Sequence, residues 1–455
     1  GKGASDPLIT GHLSCSIASD TTGNFFFVLS SDDTRDYNTG SIVTLTKDGE
    51  KVGVVNTPRL GRSLTVSNND MLVTFANNGE GSGSRVDLYD ITDPKSPKLQ
   101  ISWPMNDCNP INAVMRSGYK YFAVSCSNGQ IYIGTLNTQR SSSEIKLVRR
   151  YPGAKRALYL DPVRNLLLAF PTDLRSNVSS DNQWDDIMTY SDDSETVAPN
   201  EIPDFLENSR VARRNLGRRG PYQFVVYNIG VEAAKDFPVE LDYTLVYAEL
   251  RWMYFSLANF DGTPDVTQTS NTINSRYYRT NFWEAKPDPT SSDAILLSHR
   301  GTSDATRIGS PHANSIVRVR ITGDLAINSA GVAPKTDEVL SFERVYGFKG
   351  ELEESGRHFP SDFEVTNVNG EPLMIVNHAR DIKNFPASHY SSLATKVLGD
   401  NGWFSEINDG QSGHTYFQIA LTGSGRAMAV SFYQNLVILL DALPGTAITE
   451  FKTIN

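Results

Sequence analysis

Apolar residues along the chain fall in short runs parted by Gly, Asn, Asp, Ser and Pro, with no long helical spacing. Pairs of such runs recur around a tight polar turn, the pattern of a β-hairpin with a buried face. Segment 17–29 turns at Thr22-Gly23-Asn24, 64–75 at Asn68-Asn69-Asp70, 111–124 at Ser117-Gly118, and 158–170 between Pro162 and Asn165. These turns lie roughly 45 to 50 residues apart, the length of a four-stranded repeat. Two more hairpins follow, 363–376 turning at Asn369-Gly370 and 417–432 turning at Gly423-Ser424-Gly425. Second hairpins fill the intervals: 41–46 with 51–56, 131–136 with 145–151, 222–228 with 241–248, 392–398 with 403–407, and 436–440 with 447–452.

The interval between the fourth and fifth of these hairpins is too long for one repeat. It is assigned the end of the fourth unit and a whole fifth, built from 252–258, 294–299, 315–321 and 339–346. Units of this kind, ringed so that no long sheet edge is exposed, make an all-β propeller. Seven blades fit the spacing best, with six and eight as alternatives, and residues 1–455 are one domain. The ring is expected to close by bringing residues 8–13 beside the last blade. In such a ring the B–C loops and the blade-to-blade connections share one face. Segments 31–40, 76–84, 172–221, 300–314 and 379–391 read as B–C loops, so that face is heavily decorated. Segment 259–293 reads as an A–B loop, a second insertion on the opposite face. The blade-four insertion, 172–221, is acidic from Asp181 to Glu207 and then carries Arg210, Arg213, Arg214, Arg218 and Arg219. It reads either as a solvated loop or as a pair of charge blocks that dock or recruit a partner.

The outer hairpin of blade two lies in 85–97. Val86 and Leu88 share one parity, yet Tyr89 and Ile91 are apolar on the other, so either both faces are buried or a bulge resets the register. Asp93-Pro94 and Ser96-Pro97 end the strand. The wording "DLYDITDPKSPKLQ" resembles the LVIVD-type repeat of bacterial surface propellers. That resemblance implies the propeller architecture and an extracytoplasmic setting, at the cell surface, outer membrane or periplasm.

Net charge is -10, which argues against a nucleic-acid partner. No apolar run is long enough to span a bilayer. The chain opens at Gly1-Lys2-Gly3, which reads as a trimmed mature form, compatible with a lipid anchor ahead of Gly1. Of the three cysteines, Cys15, Cys108 and Cys126, the last two flank a hairpin and can form a disulfide; the alternative is three buried thiols.

Enzyme motifs are absent: there is no Gly-x-Ser-x-Gly elbow, Walker loop, His-Glu-x-x-His or EF-hand loop. Arg62 and Arg156 stand two residues before innermost strands, and Arg357 stands before another, with Arg300 and Arg380 at nearby strand ends. Together they form a candidate anion-binding channel mouth, since a guanidinium fork suits carboxylate, phosphate or acidic sugar. The alternative pairs each arginine with a carboxylate between blades. His299, His358 and His378 form a candidate transition-metal set, or else cap strand ends. Asp185, Asp186, Asp192 and Asp193 offer oxygens for calcium but lack loop spacing. Asp362 and Asn377 resemble the blade grammar of propeller lactonases, a resemblance that implies calcium or another divalent metal in the channel. No matching set stands in the other blades, so catalytic residues are not carried over. The favoured reading is an extracytoplasmic binding protein that recognises a protein or glycan through its decorated face. A propeller hydrolase or lactonase is the alternative, and an envelope scaffold with no small ligand is a third.

Overall fold

The computed structural model describes residues 13–31, 39–76, 83–106, 108–116, 118, 120–126, 130–137, 139, 143–150, 156–161, 163–164, 166–170, 223–228, 245–249, 282–299, 315–321, 340–347, 357–381, 389–397, 405–407, 416–431, 436–444 and 449–454. These residues contain 28 strands and no helix. They form seven four-stranded antiparallel sheets, each built from four consecutive strands. The innermost strands are β1 (Leu13–Ser19), β5 (Ser63–Ser67), β9 (Pro110–Met115), β13 (Ala157–Asp161), β17 (Phe282–Pro287), β21 (Arg357–Val368) and β25 (Tyr416–Leu421). Each packs against the innermost strand of the next sheet, and β25 packs against β1, so the ring closes. Residues 8–12 of the expected closing segment lie outside the described residues; β1 itself lies beside the last blade.

A blade has a neighbour on each face, so both parities of its middle strands are apolar. In β2 (Phe25–Ser31), Phe26 and Val28 pack with Met428, Val430 and Val437 of the last blade. Phe27 and Leu29, on the other parity, pack with Met71, Val73 and Phe75 of the second. The same rule resolves 85–97. In β7 (Arg85–Asp90), Val86 and Leu88 face the third blade beside Phe122 and Val124, while Tyr89 and Ile91 join the cluster shared with the first. A bulge between Leu88 and Tyr89 also shifts the pairing with β8 (Lys98–Pro104). Both of the expected explanations therefore hold.

The A–B turns of blades one, two, six and seven fall where the sequence places them. Asn68 and Asn369 take positive φ, 52° each, and Gly370 follows at 87°, so Val368 and Glu371 pair directly across a two-residue turn.

Blade five differs from expectation. Its innermost strand is β17, paired with β18 (Ala294–His299) across a short turn. Segment 252–258 lies outside the described residues, and 259–293 is not an A–B loop, because it contains β17. The long stretch 250–281 instead joins β16 (Leu245–Glu249) to β17, leaving and re-entering the ring at the face that carries the B–C connections. Arg357 is also inside an innermost strand rather than ahead of it, and His358 follows it in the same strand. The blade-four insertion, 172–221, with its acidic and arginine blocks, lies outside the described residues.

Candidate functional site

The innermost strands start at the decorated face, run down the channel wall and end at the short-turn face. A backbone irregularity interrupts several near the start: at Cys15 in β1, Ser361 in β21 and Phe417 in β25. A bulge re-aims the side chain that follows it, and here that side chain reaches the next blade. Asp362 Oδ2 accepts the Ile419 N–H at 2.7 Å, Gln418 Oε1 accepts the Ile17 N–H at 3.1 Å, and Ser16 Oγ accepts the Leu64 N–H at 3.1 Å. Each bond satisfies a strand-edge donor that would otherwise face the channel. The Gln418 bond spans the ring closure.

The next braces are one amide–carbonyl bond and two ion pairs. Asn112 Nδ2 donates to the Arg156 carbonyl at 2.8 Å. The Arg156 guanidinium lies 4.0 Å from the Trp283 ring centroid and reaches Glu284 Oε1 at 3.4 Å. Lys286 donates to Glu364 Oε1. Strands β17 and β21 thus bring Glu284, Lys286, Asp362 and Glu364 together in the channel wall. Glu284 and Asp362 are 8% and 3% exposed. All four line one cavity of about 320 Å³, bordered by all seven innermost strands.

Burial sets the electrostatics. It pushes the Asp362 carboxyl well above the usual carboxylate range, helped by Glu284 and opposed by Lys286. Glu364 is also raised, by burial against the pull of Lys286. Burial alone would lower the Lys286 ammonium; Glu364, Glu284 and Asp362 outweigh it, and the net shift is upward. Arg156 is lowered, by burial and by nearby Arg62, against Glu284 and Asp362.

This arrangement does not fit a divalent metal. Three carboxylates supply the oxygens that calcium requires, but the Lys286 ammonium already stands among them as the neutralising cation. Among the described residues no group of His, Cys, Asp and Glu is placed to hold a metal ion. His299 ends β18, while His358 and His378 stand opposite Arg380 and Pro360 in the β21–β22 ladder, where β22 is Glu371–Asp381. Their side chains lie outside the described residues, as do those of Arg357 and Arg380 and the whole of Arg300. Asn377 is fully buried opposite Asp362. Of the remaining mouth arginines, Arg62 is exposed and Arg156 is a buried blade-to-blade brace.

Glu284, Lys286 and Glu364 escaped the sequence reading. The signal was present in Trp283-Glu284-Ala285-Lys286, an alternating stretch closed by Pro287, just ahead of the apolar run 294–297.

The decorated face carries a second feature, which runs from the connection between blades one and two to the connection between blades two and three. Arg59 donates to the carbonyls of Ala76 and Gly83, both at 2.7 Å, clamping the two ends of one B–C connection. Ser84 Oγ donates to Asn109 Oδ1 at 2.9 Å, and the Met105 N–H to the Ser84 carbonyl at 2.8 Å. A disulfide joins Cys108, in the blade connection, to Cys126 at the end of β10 (Tyr121–Cys126), with Cα atoms 5.4 Å apart.

No protein-family model and no curated protein sequence matches the chain. Solved structures do match in shape. The β-propeller domain of Cps50 (Swd1) from Myceliophteria thermophila aligns at 10% identity and TM-score 0.51, covering 96% of this chain and 99% of that one. A protein from Lactobacillus plantarum aligns at 10% identity and TM-score 0.50, covering 92% and 93%. Sqt1 from Chaetomium thermophilum, bound to the N-terminus of ribosomal protein L10, aligns at 11% identity, covering 98% and 89%, with TM-score 0.49, and adds nothing to the argument. At these identities the likeness concerns the fold alone, and the chain is a β-propeller in fold.

Proposed function

We propose that the protein is an exported recognition module that binds a partner protein or glycan through the face carrying its long connections. The observation behind this reading is the braced platform around blade two, from its connection with blade one to its connection with blade three. Arg59, the Ser84–Asn109 bond and the Cys108–Cys126 disulfide fix neighbouring connections to one another. Ordering loops in advance lowers the entropic cost of binding, and loops on a rigid scaffold are where binding residues concentrate. The connections 171–222 and 250–281 leave the ring at the same face. The disulfide supports export, because such bonds persist in oxidising compartments. A bacterial surface location, suggested by the resemblance in 85–97, belongs to the same proposal. Among the described residues no helix is long and apolar enough to cross a membrane.

The test compares three forms of the protein on a glycan array and in capture from the envelope fraction of its source. One is wild type, one carries short Gly-Ser linkers for 77–82 and 172–221, and one carries a linker for the opposite-face segment 229–244. Binding that is lost with the first replacement and kept with the second supports the reading. Binding that survives the first and is lost with the second contradicts it. Which assay responds separates glycan from protein.

A further inference from the structure

The exposed charges of the ring are segregated by face. Among the described residues every exposed carboxylate, Asp48, Glu50, Asp93, Glu144, Asp293 and Glu371, lies on the short-turn face, in an A–B or C–D connection. At the decorated end of blade two the balance is reversed. Arg59, Arg62 and Arg85 gather there, and the one described carboxylate beside them is Asp87, which is fully buried.

The three arginines are held differently. Carbonyls of Ala76 and Gly83 accept the N–H bonds of Arg59, but a carbonyl does not neutralise a charge. Arg85 donates from Nη2 to Asp87 Oδ2 at 2.7 Å and lies 5.0 Å from the Phe75 ring centroid, with its side chain 22% exposed. Burial lowers the Arg59 guanidinium, and Arg85 is close enough to lower it further. The Arg62 guanidinium is exposed and has no partner among the described residues. The Arg62 N–H donates to the Thr74 carbonyl at 2.7 Å, and Arg85 pairs with Phe75, so the two stand two strands apart across blade two. Two strand spacings are about 10 Å.

We propose that the recognition face binds an acidic peptide segment of its partner protein at this end of blade two, with Arg62 and Arg85 receiving carboxylates and Arg59 adding positive charge. The inference rests on the recognition reading and narrows its partner. Alternate side chains of an extended peptide stand about 7 Å apart, a spacing that two long arginine side chains can meet. Each guanidinium offers carboxylate a planar fork. A positive end on an acidic chain also steers such a segment to this face and away from the other. An acidic sugar is the poorer fit, because it gains from stacking on an open aromatic face. Here Phe75 is fully buried beneath Arg85, and the Arg156 guanidinium covers Trp283 at 4.0 Å.

Fluorescence anisotropy with labelled octaglutamate, octalysine and an oligogalacturonate of equal charge tests this. Octaglutamate should bind saturably, more weakly as salt rises, and octalysine should not bind. Arg62→Glu, at an exposed position, should weaken octaglutamate at least about tenfold, because it sets like charges together. Arg62→Lys should weaken it less, since the charge stays and the fork is lost. Lys47→Ala removes an exposed cation from the opposite face and should change nothing. Circular dichroism confirms that each variant is folded. Absence of saturable octaglutamate binding, binding unchanged in a folded Arg62→Glu variant, or tighter binding of oligogalacturonate would each overturn the proposal. Partner capture that needs the connections yet ignores Arg62→Glu would overturn it too, and would leave the recognition face standing.

Discussion

Asp362 shows how one residue can serve the fold and the channel at once. One carboxylate oxygen ties blade six to blade seven through the Ile419 N–H, and the other borders the cavity. Its raised pKa makes stability depend on pH, together with those of Glu364 and Asp87, which burial also raises. The folded chain keeps these protons to higher pH than the unfolded chain does. The resulting stabilisation is full below the ordinary carboxylate range, near about pH 4, and is lost as pH rises through the higher folded values. Asp362→Asn keeps an acceptor for Ile419 and removes the titration. Thermal melts from about pH 4 to about pH 7 should therefore show the variant gaining on the wild type as pH rises. A Tm difference that stays constant across that range would mean that Asp362 titrates as an exposed aspartate does.

Single strands show why some of the fold was legible and some was not. Turns with a chemical signature, such as Asn68-Asn69 and Asn369-Gly370, stand where expected because left-handed backbone favours those residue types. Blade five was misassigned for a physical reason. Segment 252–258 is an apolar run that reads as a buried strand, whereas β17 alternates Trp283, Glu284, Ala285 and Lys286. An innermost strand presents one edge to a polar channel, so charge within it is compatible with burial and with function alike. The apolar parity of Tyr89 and Ile91 was ambiguous for a related reason, since one strand read alone does not reveal that two blades flank it. The channel carboxylates were legible only as Asp362, because Glu284 and Lys286 had been placed in a loop.

Two glycines separate packing from turn geometry at this scale. A Cβ on Gly134, in β11 (Gln130–Thr135), would lie 1.9 Å from Cζ of the fully buried Phe122, whose ring lies 5.3 Å from that of Trp103. Gly370 has open space around it and a φ of 87°. Gly134→Ala should cost about 1–3 kcal/mol through overpacking, and Gly370→Ala about 1–2 kcal/mol through backbone strain alone. Urea titration of both, repeated with Phe122→Leu, should show partial rescue for Gly134→Ala and additivity for Gly370→Ala. Additivity for both would place the Phe122 ring elsewhere.

At the scale of the whole molecule, the ring holds together through contacts between blades rather than through a sheet shared by the two chain ends. The first and last sheets each consist of four consecutive strands. They meet through Ile17, Phe26 and Val28 against Ala420, Met428 and Val430, and through the Gln418–Ile17 bond. Between blades five and six, Leu296 and Ile316 pack against Phe363, Met374 and Val376, and the Lys286–Glu364 pair bridges the channel side. That pair exists only if β17, and not 252–258, is the innermost strand of blade five. A double-mutant cycle with Lys286→Met, Glu364→Gln and the double variant, followed by urea titration, measures it directly. The expected result is a coupling energy of about 0.5–3 kcal/mol, as for residues in contact. Single effects that add to within about 0.3–0.5 kcal/mol would place Lys286 away from Glu364 and contradict the channel described here.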